Sequence, residues 1–266
     1  MAQRLDWIKQ APEHWANWRA LPSGAATHGL VHKKYPKSKP FLAPAHTEQG
    51  LIALKLIANQ DKTKAWFAKL TGNSAAMTRR MPDGLVNMVW ANMSLHTEPD
   101  PAETVRQWHG MLKVDGYLMF SCLGPDTATE LRHIYNEMGW PPAAHPLTDM
   151  HDWGDLLVRS GFAEPVMDME RIVLTFATPE RALQELRSLG RNLHPARHAG
   201  LRGKSWHKRL LTLMRERLAN AQGQIELSFE IIYGHAFKPA PRVQLSAQSS
   251  ISIDEMRTML AQGRRR

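Results

Sequence analysis

Residues 85–131, LVNMVWANMSLHTEPDPAETVRQWHGMLKVDGYLMFSCLGPDTATEL, allow few folds. An apolar run (Leu85, Val86, Met88, Val89, Trp90) reads as a buried strand and gives way to a polar corner at Asn92. Asp100-Pro101 then opens a helix, and a second apolar strand runs from Tyr117 to Cys122 behind a tight turn at Asp115-Gly116. Strand, loop, helix, turn and strand in that order form the β-α-β unit of a parallel sheet. Open parallel sheets bind ligands at the carboxyl ends of their strands. Those ends carry Ala91-Asn92-Met93 and Ser121-Cys122-Leu123-Gly124.

The chain has 266 residues, 43% hydrophobic, enough for one large α/β domain. No apolar run reaches the length of about 20 residues that a bilayer requires. The segment Met1–Lys9 lacks a signal-peptide core, so a cytoplasmic location is expected. The single cysteine, Cys122, excludes an internal disulfide and suits a reducing compartment. Following a buried strand, Cys122 reads as a packed small residue rather than a pocket-lining one.

The expected elements are helix at 4–10, strand at 15–21, helix at 23–34, strand at 39–43 and helix at 47–59. Residues 64–70 read as a third strand or an edge segment, and 71–84 as a surface crossing. Strand at 85–91, helix at 102–113 and strand at 117–123 follow, then helices at 127–138 and 150–160 on either side of the Trp140-Pro141-Pro142 breaker. Strands at 165–169 and 172–176, helices at 179–190 and 204–219, and a last strand at 225–237 complete the chain.

Several motifs in this order resemble a family. Trp90-Ala91-Asn92-Met93-Ser94-Leu95-His96, the Leu112–Gly116 turn, Phe120–Thr127 with Glu130-Leu131-Arg132, Thr148–Asp152, Gly161-Phe162, Leu189-Gly190 and Phe229–Ala236 together resemble a class I S-adenosylmethionine-dependent methyltransferase. More closely, the chain is similar to the malonyl-acyl-carrier-protein O-methyltransferase family of biotin synthesis over roughly its last two thirds. The resemblance implies a Rossmann-like α/β sheet with a helical and β lid extension from about Trp140 to Ala199. It divides a single domain into a core over 1–139, lid insertion and final strands over 140–240, and a C-terminal tail over 241–266 that ends in Arg264-Arg265-Arg266.

The family binds its cofactor with a glycine-rich loop after strand one and an acidic residue at the end of strand two. Here the loop reads Pro22-Ser23-Gly24-Ala25-Ala26-Thr27-His28-Gly29, in which Gly24 alone of the loop glycines is retained. With Tyr35-Pro36 matched to the end of the following helix, Arg19 falls where the family has an acid. Pro44-Ala45 replaces the ribose-binding carboxylate, and the nearest acid is Glu48. Two readings are open: S-adenosylmethionine bound in an altered way, or a methyltransferase shell that binds a partner without the chemistry.

The resemblance places Gly24, Ala91, Asn92, Met93 and His96 at the cofactor. Asn92 also suits a structural corner, because its side chain bonds local backbone. Methylation of a carboxylate leans on proximity more than on acid-base help, so no catalytic residue is assigned. An arginine fork would grip a distal carboxylate, with Arg132, Arg191 and Arg197 as candidates. Tyr233 and His235 read as packing residues.

A net charge of +9 asks for a partner. Between Arg187 and Arg217 the bases Arg187, Arg191, Arg197, Arg202, Lys204, Lys208, Arg209 and Arg215 face Glu216 alone. Such a face would steer an acidic acyl carrier protein, with Arg132, Arg191, Arg197, Arg202, Lys204 and Lys208 as docking residues. A solvated helix face with Leu210, Leu211, Leu213, Met214 and Leu218 turned inward explains the same pattern. Nucleic acid is disfavoured, since stacking aromatics other than Trp206 are not interleaved with the bases. The 13 histidines show no ligand spacing, so no metal is expected at His194, His198 and His207. Among the nine tryptophans, Trp7, Trp15, Trp18, Trp66 and Trp90 are expected to fill space left by the substituted cofactor loop.

Overall fold

The computed structural model describes residues 1–19, 24–43 and 84–241. The expected elements at 47–59 and 64–70, most of the 71–84 crossing, Trp66, Pro44, Glu48, the loop 20–23 and nearly all of the tail lie outside them. Among the described residues six strands form one sheet: β1 (His14–Trp18), β2 (Lys39–Ala43), β3 (Val86–Ala91), β4 (Leu112–Leu123), β5 (Ala163–Phe176) and β6 (Ile225–Phe237). Their spatial order is β2-β1-β3-β4-β6-β5. The first four run parallel, whereas β6 lies antiparallel to both β4 and β5. This is the Rossmann-like arrangement expected from the sequence.

Among the described residues six helices connect the strands: α1 (Gly24–Lys34), α2 (Pro101–Met111), α3 (Thr129–Glu137), α4 (Met150–Arg159), α5 (Pro179–Leu189) and α6 (Lys204–Leu218). Helix α2 begins where the sequence says it must, with the Asp100 carboxylate accepting the Glu103 N–H at 2.9 Å and Pro101 filling the first turn. Thr178 and Pro179 start α5 in the same way.

One face of the sheet packs Ala16, Trp18, Val89, Phe120 and Cys122 against Val105, Trp108, Trp153 and Leu157. The opposite face packs Trp15, Met88, Trp90 and Met119 against Leu5 and Val31. A further apolar cluster joins α3, α5 and α6 to β5 and β6 through Leu131, Ile134, Ala182, Leu210, Leu213, Met214 and Phe229. Cys122 is fully buried, and burial pushes its thiol pKa far up.

Some expectations need correction. The N-terminal helix is a 3-10 turn over Ala2–Trp7, and Trp7 is 71% exposed rather than filling space. Trp15, Trp18 and Trp90 are buried as expected. The first strand stops at Trp18, because Arg19 takes a left-handed φ of 45°. The turn at Asp115-Gly116 is instead a bulge inside β4, whose register jumps between Val86↔Leu112 and Met88↔Tyr117. The two strands expected at 165–176 are one edge strand, β5.

Candidate active site

The corner after β3 is tied to β4. Met93, at φ 52°, donates its N–H to the Ser121 hydroxyl at 3.1 Å, and that hydroxyl donates to Asn92 Oδ1 at 3.1 Å. Asn92 thus joins the corner to β4 through a side-chain bond rather than through local backbone. Ala91 is wholly buried opposite Phe120. Gly24 is the first residue of α1.

His96 ends the same corner. Its Nδ1 accepts the Leu123 N–H at 3.3 Å, which fixes the neutral ring as the Nε2–H tautomer. Burial, with a smaller push from His145, lowers its pKa to about 4. At neutral pH His96 is therefore a hydrogen-bond donor without charge.

His96 and Leu123 border a cavity of about 310 Å³ at the carboxyl ends of β3 and β4. That is where an open α/β sheet presents a ligand. Leu131, Leu183, Leu186 and Leu210 supply apolar walls, while Arg132, Arg187, Arg191 and His145 supply polar groups. Three lining side chains carry a buried polar atom with no partner among the described residues: Arg132 Nε, His145 Nδ1 and Trp206 Nε1. His145 uses its other nitrogen to donate to the His96 carbonyl at 3.1 Å. Buried polar atoms seldom go unmet. Arg132, Arg187 and Arg191 beside these apolar walls suit an amphiphilic anion.

The structure brings Arg132, Arg191 and His96 together at this cavity, whereas Arg197, Lys204 and Lys208 are exposed away from it. Arg202 stacks 4.0 Å above the Trp206 ring and 5.5 Å from that of Tyr135, two residues that line the cavity. Arg215 and Arg217 are answered by Glu180 and Glu137. Among the described residues no carboxylate pairs with Arg187, Arg191, Arg197, Arg202, Lys204 or Lys208. Arg187, His145 and Trp206 were not among the residues assigned to the site from the sequence. A larger cavity of about 440 Å³ lies under the N-terminal turn, where Arg4 stacks 4.1 Å from the Tyr233 ring and His235 packs beside it.

No family model matches the chain. A malonyl-[acyl-carrier protein] O-methyltransferase of Laribacter hongkongensis is 35% identical over 254 residues, covering 91% of this chain and 81% of that protein. One from Gallionella capsiferriformans is also 35% identical, at 91% and 83% coverage. The chain belongs to the malonyl-[acyl-carrier protein] O-methyltransferase family. The fold agrees: a putative methyltransferase of Bacillus halodurans superposes with a TM-score of 0.56 at 14% identity, covering 90% of this chain and 99% of that one. The YcgJ protein of Bacillus subtilis gives 0.55 at 13% identity, covering 90% and 97%.

Membership of this O-methyltransferase family raises the question of a cofactor seat for S-adenosylmethionine, whose sulfonium and ammonium are cationic. The crevice at the ends of β1 and β3 holds Glu98, but its carboxylate already accepts from the Trp18 indole at 2.9 Å and pairs with Arg19 at 2.8 Å. Arg19 adds positive charge where a cationic ligand would approach. Strand β2, Lys39–Ala43, carries no carboxylate of its own, and the residues that follow it lie outside the described ones. These residues do not fit the cofactor held in the family's usual way. Among the described residues no three His, Cys, Asp or Glu side chains gather as a metal-ligand set, and no helix is long and apolar enough to cross a membrane.

Proposed function

We propose that this protein recognises a carboxylate-bearing acyl group presented by an acidic acyl carrier protein, with the acyl group in the 310 Å³ cavity bordered by His96 and Leu123. The observation that carries the reading is the gathering of Arg132, Arg187 and Arg191 beside the apolar walls of that cavity, with no carboxylate paired to Arg187 or Arg191 among the described residues. An acyl chain would cover Leu183, Leu186 and Leu210, while its carboxylate takes a guanidinium from Arg132, Arg187 or Arg191. The basic face from Arg187 to Lys208 would steer the carrier toward the cavity. Docking residues Arg197, Arg202, Lys204 and Lys208 belong to that face.

O-methylation of the carboxylate, with S-adenosylmethionine as donor, is the reaction that membership of the family supports, as part of biotin synthesis in the cytoplasm. The Arg19–Glu98 pair at the ends of β1 and β3 favours a second reading, a pseudoenzyme that binds the carrier without transferring a methyl group. Both start from carrier recognition and part at the cofactor. Their shared test is binding of malonyl-loaded against unloaded carrier protein. Preference for the loaded form, lost in Arg132→Ala with Arg191→Ala, is expected; equal binding would remove the acyl-cavity reading. Radiolabelled methyl transfer to the loaded carrier then separates enzyme from binding protein.

A further inference from the structure

The sheet order puts β1 between β2 and β3, and the crevice above their carboxyl ends is the ligand position of an open α/β sheet. Three side chains of the chain itself meet there. Trp18, the last residue of β1, is 6% exposed and donates its indole N–H to Glu98 Oε1 at 2.9 Å. Arg19 Nη2 lies 2.8 Å from Glu98 Oε2, and the Glu98 side chain is 3% exposed. Both oxygens of a buried carboxylate are thereby engaged, one by a neutral donor and one by a cation.

Two described neighbours anchor the cluster. The Trp18 ring stands edge-on to Trp108 of α2 at 5.9 Å. The Arg19 N–H donates to the Ala43 carbonyl at 2.6 Å, tying the end of β1 to the end of β2. Arg19 holds a left-handed φ of 45°, which a non-glycine residue keeps only where its surroundings enforce it. A ligand entering the crevice would have to part Arg19 from Glu98 and leave a buried charge unpaired.

We propose that Trp18, Arg19 and Glu98 are an internal plug in the β1–β3 crevice, so that the protein takes neither S-adenosylmethionine nor S-adenosylhomocysteine there. Arg19 occupies the crevice as a built-in cation, in the place of the ligand's own positive groups. The family reading above supplies the identity of the excluded ligand. Carrier recognition at the His96–Leu123 cavity does not depend on the plug.

The test is calorimetric titration of the full chain with each compound, beside carrier-protein binding on the same sample. The wild type is expected to give no saturable heat up to about 1 mM ligand, with no ligand-dependent shift in Tm. Micromolar binding overturns the proposal. The double variant Arg19→Gly with Glu98→Gln removes both charges at once and gives the left-handed position a residue that accepts it. Saturable S-adenosylhomocysteine binding, at least tenfold stronger than any wild-type signal, is expected; a folded double variant that binds no better overturns the plug. Glu98→Gln alone leaves one acceptor oxygen for the Trp18 indole and turns an NH2 toward Arg19, so it breaks the Arg19 pairing; it should move affinity the same way by less and stands in if the double variant does not fold. Cofactor binding by the wild type would sink the plug and leave carrier recognition standing, whereas failure to bind carrier would do the reverse.

Discussion

His145 donates to the backbone carbonyl of His96 at 3.1 Å, while the His96 ring accepts the Leu123 N–H at 3.3 Å. Two histidines thus fasten the corner after β3 to the wall of the cavity, and they do so with His96 uncharged. A proton on His96 Nδ1 would abolish the bond to Leu123.

This sets a pH dependence. Burial holds the pKa of His28 and of His96 at about 4, below the ordinary 6.5. Between those values the unfolded chain binds protons that the native state refuses, so stability falls as pH drops from 6.5 toward 4. The full shift is worth about 3 kcal/mol per group. His28, 7% exposed, should approach that figure, and His96, which borders the cavity, should contribute less. Urea unfolding at pH 7 and pH 5 is expected to show the loss, and His28→Gln to flatten it. An equal slope in that variant would remove His28 from the account.

The Arg19–Glu98 pair makes a separate prediction about stability. Arg19→Met strands the buried carboxylate, whose side chain is 3% exposed, and should cost about 3 kcal/mol. Adding Glu98→Gln to it should restore part of that loss, because the stranded charge is then gone. Purely additive unfolding midpoints would mean that the two residues are not coupled.

Much of the fold is legible because the β3–α2–β4 stretch combines two strands buried on both faces with an Asp-Pro helix start. Strand β5 misled the reading. It is an edge strand whose polar Asp168, Glu170 and Arg171 interrupt the apolar pattern without interrupting the pairing to β6. At the site, His96, Arg132 and Arg191 could be reached from motif positions. His145, Arg187 and Trp206 come from a loop and from α5 and α6, and only tertiary packing brings them to one cavity. Glu98 carries no signal of its own in the sequence, because only the parallel pairing of β1 with β3 brings it beside Arg19.

Gly234 of β6 sits directly across from Phe120 of β4. A Cβ there would overlap the Phe120 ring and come within 2.9 Å of the Met167 sulfur. Phe120 is wholly buried and has no space to retreat. Gly234→Ala should therefore lose at least about 1–3 kcal/mol through overpacking. Chemical denaturation measures it, and a change below about 0.5 kcal/mol, the scatter of ordinary surface substitutions, would show that the sheet yields more easily than its burial implies.

The basic face predicts how carrier binding responds to charge. Arg197, Lys204 and Lys208 are exposed, and among the described residues none has a carboxylate partner. Their field acts on the encounter with an acidic protein more than on the bound contacts. Reversing two of them, in Lys204→Glu with Lys208→Glu, should slow association about tenfold or more at low salt and leave dissociation nearly unchanged. The difference should shrink as ionic strength approaches 0.5 M, where charges are screened over about 4 Å. The cavity variants Arg132→Ala and Arg191→Ala act on the seated acyl group instead, so they should speed dissociation of the loaded carrier. Stopped-flow association and dissociation rates measured at two salt concentrations separate the roles. A double reversal that slows nothing would return the basic stretch to the status of a solvated helix face.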